Sequence, residues 1–123
     1  MLAALLLLVS VSLSAVAPTD VGYRSWEEQD CRALVRSSDV LCKSGDCKAI
    51  IRRNVKLCDS NDCKAVLQKR LSLCQSDACK AMLTRKESYC STGDCKAYLR
   101  HNDTFCTTPS CKALIRQSGR YCQ

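Results

Sequence analysis

The chain has 123 residues, 12 of them cysteine, and 19 Lys and Arg against 12 Asp and Glu, for a net charge of +7. That length suits a single domain, and an even, high cysteine count argues for disulfides and against a reduced cytosolic protein. Aromatic residues are only 5% of the chain, too few to stack the bases of a nucleic acid.

In chain order, the first element is the apolar stretch "MLAALLLLVSVSLSAVA", Met1 to Ala17, which has no charged side chain. It reads as a signal peptide, with Ala15-Val16-Ala17 matching a small-x-small cleavage site and Pro18 placed awkwardly after it. A spanning helix wants about 20 apolar residues with basic flanks, and this run has neither. No second apolar run follows and the last cysteine is one residue from the end, so the mature product is expected to be secreted and free of an anchor. Residues 18–30 form a lead-in, where Ser25-Trp26-Glu27-Glu28 has the form of a capping box that would start the first helix early.

Residues 31–123 are expected to form a cysteine-rich domain of six units. After Cys31 the gaps alternate between ten and four residues up to Cys122, so sixteen-residue units open at Cys31, Cys47, Cys63, Cys79, Cys95 and Cys111. Each reads Cys, a basic residue, Ala, then two apolar residues, which is a repeat architecture. The unit predicts a short helix and a turn. Asp30, Asp46, Asp62, Asp94 and Ser110 stand just before an opening cysteine, where they are expected to cap the helix. Ser38, Asn54, Arg70, Lys86, Asn102 and Ser118 occupy a step that should be apolar in a continuous helix. Either the helix stops there, or a polar group reaches out of a thin core.

An unbroken helix would set the two cysteines of a unit on one face about 16 Å apart, beyond disulfide reach of roughly 7 Å. Every helix must therefore be stapled to a neighbour. The expected fold is all-α: six short disulfide-stapled helices in sixteen-residue repeats, stacked as helical hairpins in a solenoid or bundle. Antiparallel hairpins would nest the bridges, pairing Cys31 with Cys58, Cys42 with Cys47, Cys63 with Cys90, Cys74 with Cys79, Cys95 with Cys122 and Cys106 with Cys111. The rival scheme, turn bridges alone, strands Cys31 and Cys122 unless the stack closes. Small domains with few large side chains hide a low fraction of their surface, and disulfides compensate.

The residue after each opening cysteine is basic, and in four of the six units an arginine, Arg36, Arg52, Arg100 or Arg116, follows four steps on. Stacking would align Arg32, Arg36, Lys48, Arg52, Lys96, Arg100, Lys112 and Arg116 into a basic face suited to a sulfated glycan, an anionic membrane surface or an acidic protein. The sole histidine, His101, lies in "RHNDTFC", and no recurrent catalytic or phosphate-binding motif occurs, so neither an enzyme nor a cofactor is expected. With no C-x-C or C-x-x-C spacing, a structural metal is not expected either. Asn102-Asp103-Thr104 is an N-glycosylation sequon, meaningful in a secreted chain.

The pattern C-x4-C-[KR]-A-x-[LI], with ten residues to the next cysteine, resembles the cysteine-rich helical modules of glial-derived neurotrophic factor receptor-α and the growth-arrest-specific proteins. The resemblance implies disulfide-stapled helical modules that bind growth factors and signalling receptors outside the cell. The strict sixteen-residue period departs from that family, and no ligand-contact residue carries over. Twin C-x9-C hairpins of the mitochondrial intermembrane space are also similar, but the leader and the longer gap count against them. Two functional classes follow: a secreted extracellular binding module, receptor-like or a soluble ligand, and a cationic secreted effector acting on anionic membranes as a toxin or antimicrobial.

Overall fold

The computed structural model describes residues 16–123; the expected signal peptide, Met1 to Ala17, lies almost entirely outside the described residues. Those residues are helical, with no strand among them. A one-turn helix α1 (Pro18–Val21) precedes α2 (Glu28–Arg36), α3 (Gly45–Arg52), α4 (Asn61–Gln68), α5 (Asp77–Thr84), α6 (Gly93–Arg100) and α7 (Pro109–Arg116). A three-residue 3-10 turn follows each of the last six, at Asp39–Leu41, Val55–Leu57, Leu71–Leu73, Glu87–Tyr89, Asp103–Phe105 and Gly119–Tyr121. The expected all-α repeat of six stapled helices is the fold, and each hairpin is an α arm with a 3-10 return.

The helices start two or three residues earlier than the residues before the opening cysteines suggested. Ser44, Ser60, Ser76, Thr92 and Thr108 are the N-caps, each side-chain oxygen accepting from the N–H of the opening cysteine three residues on, at 3.1–3.3 Å. These bonds satisfy amides that a helix start leaves without a partner. At α2 the N-cap is Glu27, without a side-chain bond, so the Ser25–Glu28 capping box is not used. The aspartates already sit in the first turn and work between units. Asp30 accepts from the N–H groups of Lys43 and Ser44, Asp46 from Asp59 and Ser60, Asp62 from Gln75 and Ser76, and Asp94 from Thr107 and Thr108. Each carboxylate thus ties the start of its helix to the turn that begins the next.

The polar step is explained by the other end. All six repeat helices stop on a non-glycine residue in the left-handed region, namely Ser37, Arg53, Lys69, Arg85, His101 and Gln117, with φ of 52–57°. In five of the six the N–H of the next residue returns to the alanine carbonyl five positions back, as Asn54 to Ala49 and Arg70 to Ala65, both at 3.0 Å. That is a Schellman closure; at the end of α5 the Lys86 N–H donates to Thr84 Oγ1 instead. Asn54 and Asn102 then accept from the N–H two residues on and cap the 3-10 turn. The helix stops at this step, so its side chain has no core to enter.

Because each helix stops and the chain doubles back, the second cysteine returns to the start of the next helix. The bridges are Cys42–Cys47, Cys58–Cys63, Cys74–Cys79, Cys90–Cys95 and Cys106–Cys111, and Cys31 joins Cys122 with Cα atoms 5.7 Å apart. Nested pairing is therefore wrong for Cys31–Cys58, Cys63–Cys90 and Cys95–Cys122. Antiparallel helices would have required it, but successive helices are parallel: Asp46 near the start of α3 meets the start of α4, and Asp20 meets Arg53 and Lys69 at the ends of α3 and α4. Each repeat helix from α2 to α6 packs on the next, and α7 packs on α2. The stack closes into a ring, and the sixth unit bridges the first as every other unit bridges its successor.

The opening cysteines and alanines of all six units are buried, as are Leu34, Ile50, Val66, Met82, Tyr98 and Leu114. The lead-in supplies what the repeat lacks, burying Val21, Tyr23 and Trp26 in the same core. Its course follows its contacts. Residues 17–19 lie near Arg85 and His101, where α5 and α6 end. Gly22 crosses the middle, where a Cβ would stand 2.6 Å from Met82 Sδ and 2.9 Å from Tyr98 Cγ. Tyr23 and Arg24 reach Asp46 in the first turn of α3, and the Trp26 N–H donates to Ser110 Oγ in that of α7. The lead-in runs through the ring from helix ends to helix starts.

Candidate binding surface

The expected basic face is laced with carboxylates from neighbouring units. Arg52 pairs with Asp39, Arg100 with Glu87 at 2.7 Å and Arg116 with Asp103. Each arginine ends its helix and reaches thirteen residues back, to the 3-10 turn of the unit before. The arginine hydrogen bonds, opposed by slight burial, hold the Asp39 and Glu87 carboxyls below the usual carboxylate range. Arg100 also lies over the Phe105 ring, and Arg116 and Lys112 over Tyr121. Arg32 pairs with Glu28 at 2.6 Å. With Arg36 it lines an open groove of about 500 Å³ that also holds Glu27, Glu28 and Lys43. Lys48 and Lys96 are exposed.

A second set of cations escaped the sequence reading. Parallel helices put all six left-handed residues and their successors on one rim. Three consecutive units bring Arg53, then Lys69 and Arg70, then Arg85 and Lys86 to it, all exposed, and His101 continues the row. The only carboxylate paired with any of the five among the described residues is the buried Asp20, 3.2 Å from Lys69 and 3.9 Å from Arg53. The signal was present in the polar step itself, where Arg70 and Lys86 replace the Ser or Asn of other units.

The opposite rim is acidic. Glu27, Glu28, Asp30, Asp46, Asp62, Asp77 and Asp94 all lie at helix starts, and Asp59 joins them by accepting from the Gly45 N–H. Acid at starts and base at ends complements the helix dipoles, and parallel packing sums that preference over the ring. The most connected of these groups is Asp46, which also accepts from Tyr23 Oη at 2.9 Å, Ser60 Oγ at 2.7 Å and Arg24 at 3.3 Å. Burial opposes its ionisation, but the hydrogen bonds from Ser60, Tyr23 and two backbone N–H groups prevail and hold its carboxyl below the usual range. Burial, then the Asp46 charge, pushes the Tyr23 hydroxyl well above its usual value.

Carboxylates also gather near sulfur, as with Asp30 beside Cys42 and Cys47. Those sulfurs are joined in disulfides, and a metal site needs thiolates. Asn102 lies on the basic rim one unit beyond Lys86, exposed, with Oδ1 accepting from the Thr104 hydroxyl and N–H. Comparison with known families, curated proteins and solved structures finds no match to this chain.

Proposed function

We propose that the protein is a secreted extracellular binding module, non-catalytic, that presents a basic surface to a partner outside the cell. Its six bridges make it an extracellular-type, disulfide-rich protein, and no helix among the described residues is long and apolar enough to cross a membrane. The observation that carries the reading is the closed ring itself. A covalently closed repeat array holds the same few positions of each unit at fixed spacing, which turns single side chains into an extended, preorganised surface. The resemblance to extracellular growth-factor-receptor modules points the same way. In this reading Asn102 carries an N-linked glycan, and the rim cations at the helix ends supply the open positive charge. The test is saturable binding of the labelled, disulfide-intact protein to a panel of cell surfaces, lost on reduction. Absence of saturable binding on every surface would defeat it.

The second reading, a cationic effector, is favoured by one feature: Leu71 is 46% exposed beside Arg70. Dye release from anionic vesicles separates the two, because a binding module leaves vesicles intact.

A further inference from the structure

We propose that the arc Arg53, Lys69, Arg70, Arg85 and Lys86 on the rim of helix ends is the binding site for a sulfated glycan chain. The proposal rests on the reading above and names the partner of that basic surface.

The arc is a row. Adjacent packed helices lie about 8–10 Å apart, so the ends of α3, α4 and α5 spread these cations over about 20 Å. A compact anion needs donors that converge on one point, whereas a linear polyanion is matched by charges set along a line. The twelve rim positions of the six units, the left-handed residue and its successor, hold no carboxylate. Three helix ends bring about −0.5 each, and Asp20 brings one full negative charge, against five cations. Glu87, next to Lys86, is held by Arg100. The arc remains positive by more than two charges.

Arginine and lysine together suit sulfate, since guanidinium forks onto two oxygens and the ammonium acts as a mobile point charge. An anionic bilayer is the weaker match. Interfacial binding draws on a band of buried apolar side chains, and Leu71 is the arc's one exposed large apolar residue. A glycan on Asn102 would bound the row at its α6 end and leave α3 to α5 open.

The test uses the intact oxidised protein and a size-fractionated heparin oligosaccharide, with affinity measured against salt. The rim variant combines Arg70→Ser, Arg85→Gln and Lys86→Ser, each importing the residue that another unit holds at that place: Ser38 and Ser118, or Gln117. Serine is used because asparagine would write a new sequon ahead of Ser72 or Ser88. The comparison variant, Lys48→Gln with Lys64→Gln and Lys96→Gln, removes the same charge from exposed positions near helix starts. Free-thiol assay and circular dichroism establish that both fold. The expected result is at least a tenfold loss of affinity and a shallower salt dependence for the rim variant, and less than a threefold loss for the comparison. Equal losses would mean that net charge alone matters, and would overturn the proposal. An unaffected rim variant, or rim-dependent binding to phosphatidylserine vesicles without heparin binding, would overturn it as well. Wild-type protein that binds cells but not heparin defeats this inference and leaves the binding module standing; protein that binds neither defeats both.

Discussion

Removing the bridge that closes the ring should cost more than removing any other, although its local surroundings are the same. In the double variant Cys31→Ala with Cys122→Ala, the lost bridge spans 91 residues; in Cys74→Ala with Cys79→Ala it spans 5. The chain-entropy relation gives about 4.6 kcal/mol for the long loop and about 2.1 kcal/mol for the short one. The turn bridges shorten the unfolded path, but the dependence is logarithmic. Bypassing about four residues at each of five turns still leaves about 4.4 kcal/mol. Each pair contains an opening cysteine that is fully buried; Cys122 is buried and Cys74 half-buried, so side-chain truncation adds a smaller cost in the same direction and loop length is the larger difference. A difference of about 2.3 kcal/mol corresponds to roughly 10–18 °C in Tm for a domain of this size. Thermal and guanidinium denaturation followed by circular dichroism measure it. If the two variants lay within about 1 kcal/mol of each other, the closing bridge would not be the main restraint on the unfolded chain, and the closed-ring account of stability would fail.

Asp46→Asn replaces an oxygen that accepts from several donors with an NH2, and should cost about 2 kcal/mol, read as a shift in denaturation midpoint. The Asp46 carboxyl is depressed in the folded state; its contribution is present above the unfolded value near 4 and is lost as pH falls through the folded one. An acid titration of stability should thus be flatter in the variant than in wild type. The Tyr23 hydroxyl is raised, so wild-type stability should fall as pH climbs past about 10, and Tyr23→Phe should flatten that limb. The Tyr98 hydroxyl is buried without a hydrogen-bond partner, and Tyr98→Phe should leave stability unchanged or raise it by about 1 kcal/mol; a clear loss of stability would reveal a partner for the hydroxyl. Ser76→Ala removes the cap of α5 and should cost about 1 kcal/mol; an unchanged midpoint would show that the Asp62 bonds hold that turn by themselves.

The unit and its stapling could be read from spacing alone, because a sixteen-residue period with paired cysteines permits few alternatives. Four features could not. Helix ends are usually flagged by glycine or asparagine, whereas here Arg53, Lys69 and Arg85 take the left-handed conformation and give no compositional sign. The true caps were hidden because Ser44 and Asp46 are both credible N-caps, and which one serves depends on where the neighbouring turn docks. Bridge pairing depends on closure, a property of the whole stack: a rotation of about 60° per unit returns the sixth unit to the first, and no single repeat encodes that sum. The ion pairs thirteen residues apart were illegible for the same reason, since they need the register between units. The lead-in was the most recoverable omission. Tyr23 and the chain's one Trp, Trp26, stand outside the repeat, and large aromatic residues next to a core of Ala, Val and Leu are natural candidates to fill it.

A ring of parallel helices differs from a bundle of alternating ones in having two unlike faces. Alternation would mix starts and ends on each face and cancel their partial charges; parallel packing leaves one face of N–H groups and one of carbonyls. The lead-in is matched to that polarity. Asp20 lies at the basic rim beside Arg53 and Lys69, and four residues later Arg24 reaches Asp46 at the acidic rim. Run the other way, the same segment would set Asp20 among the carboxylates of the helix starts and Arg24 among the cations, with like charges facing each other at both ends. Charge thus specifies the direction of threading, while Val21, Tyr23 and Trp26 supply the burial that holds the segment in place. By the same arrangement the segment places its one carboxylate beneath Arg53 and Lys69, so of the five arc cations Arg70, Arg85 and Lys86 keep the positive charge that is left for a partner.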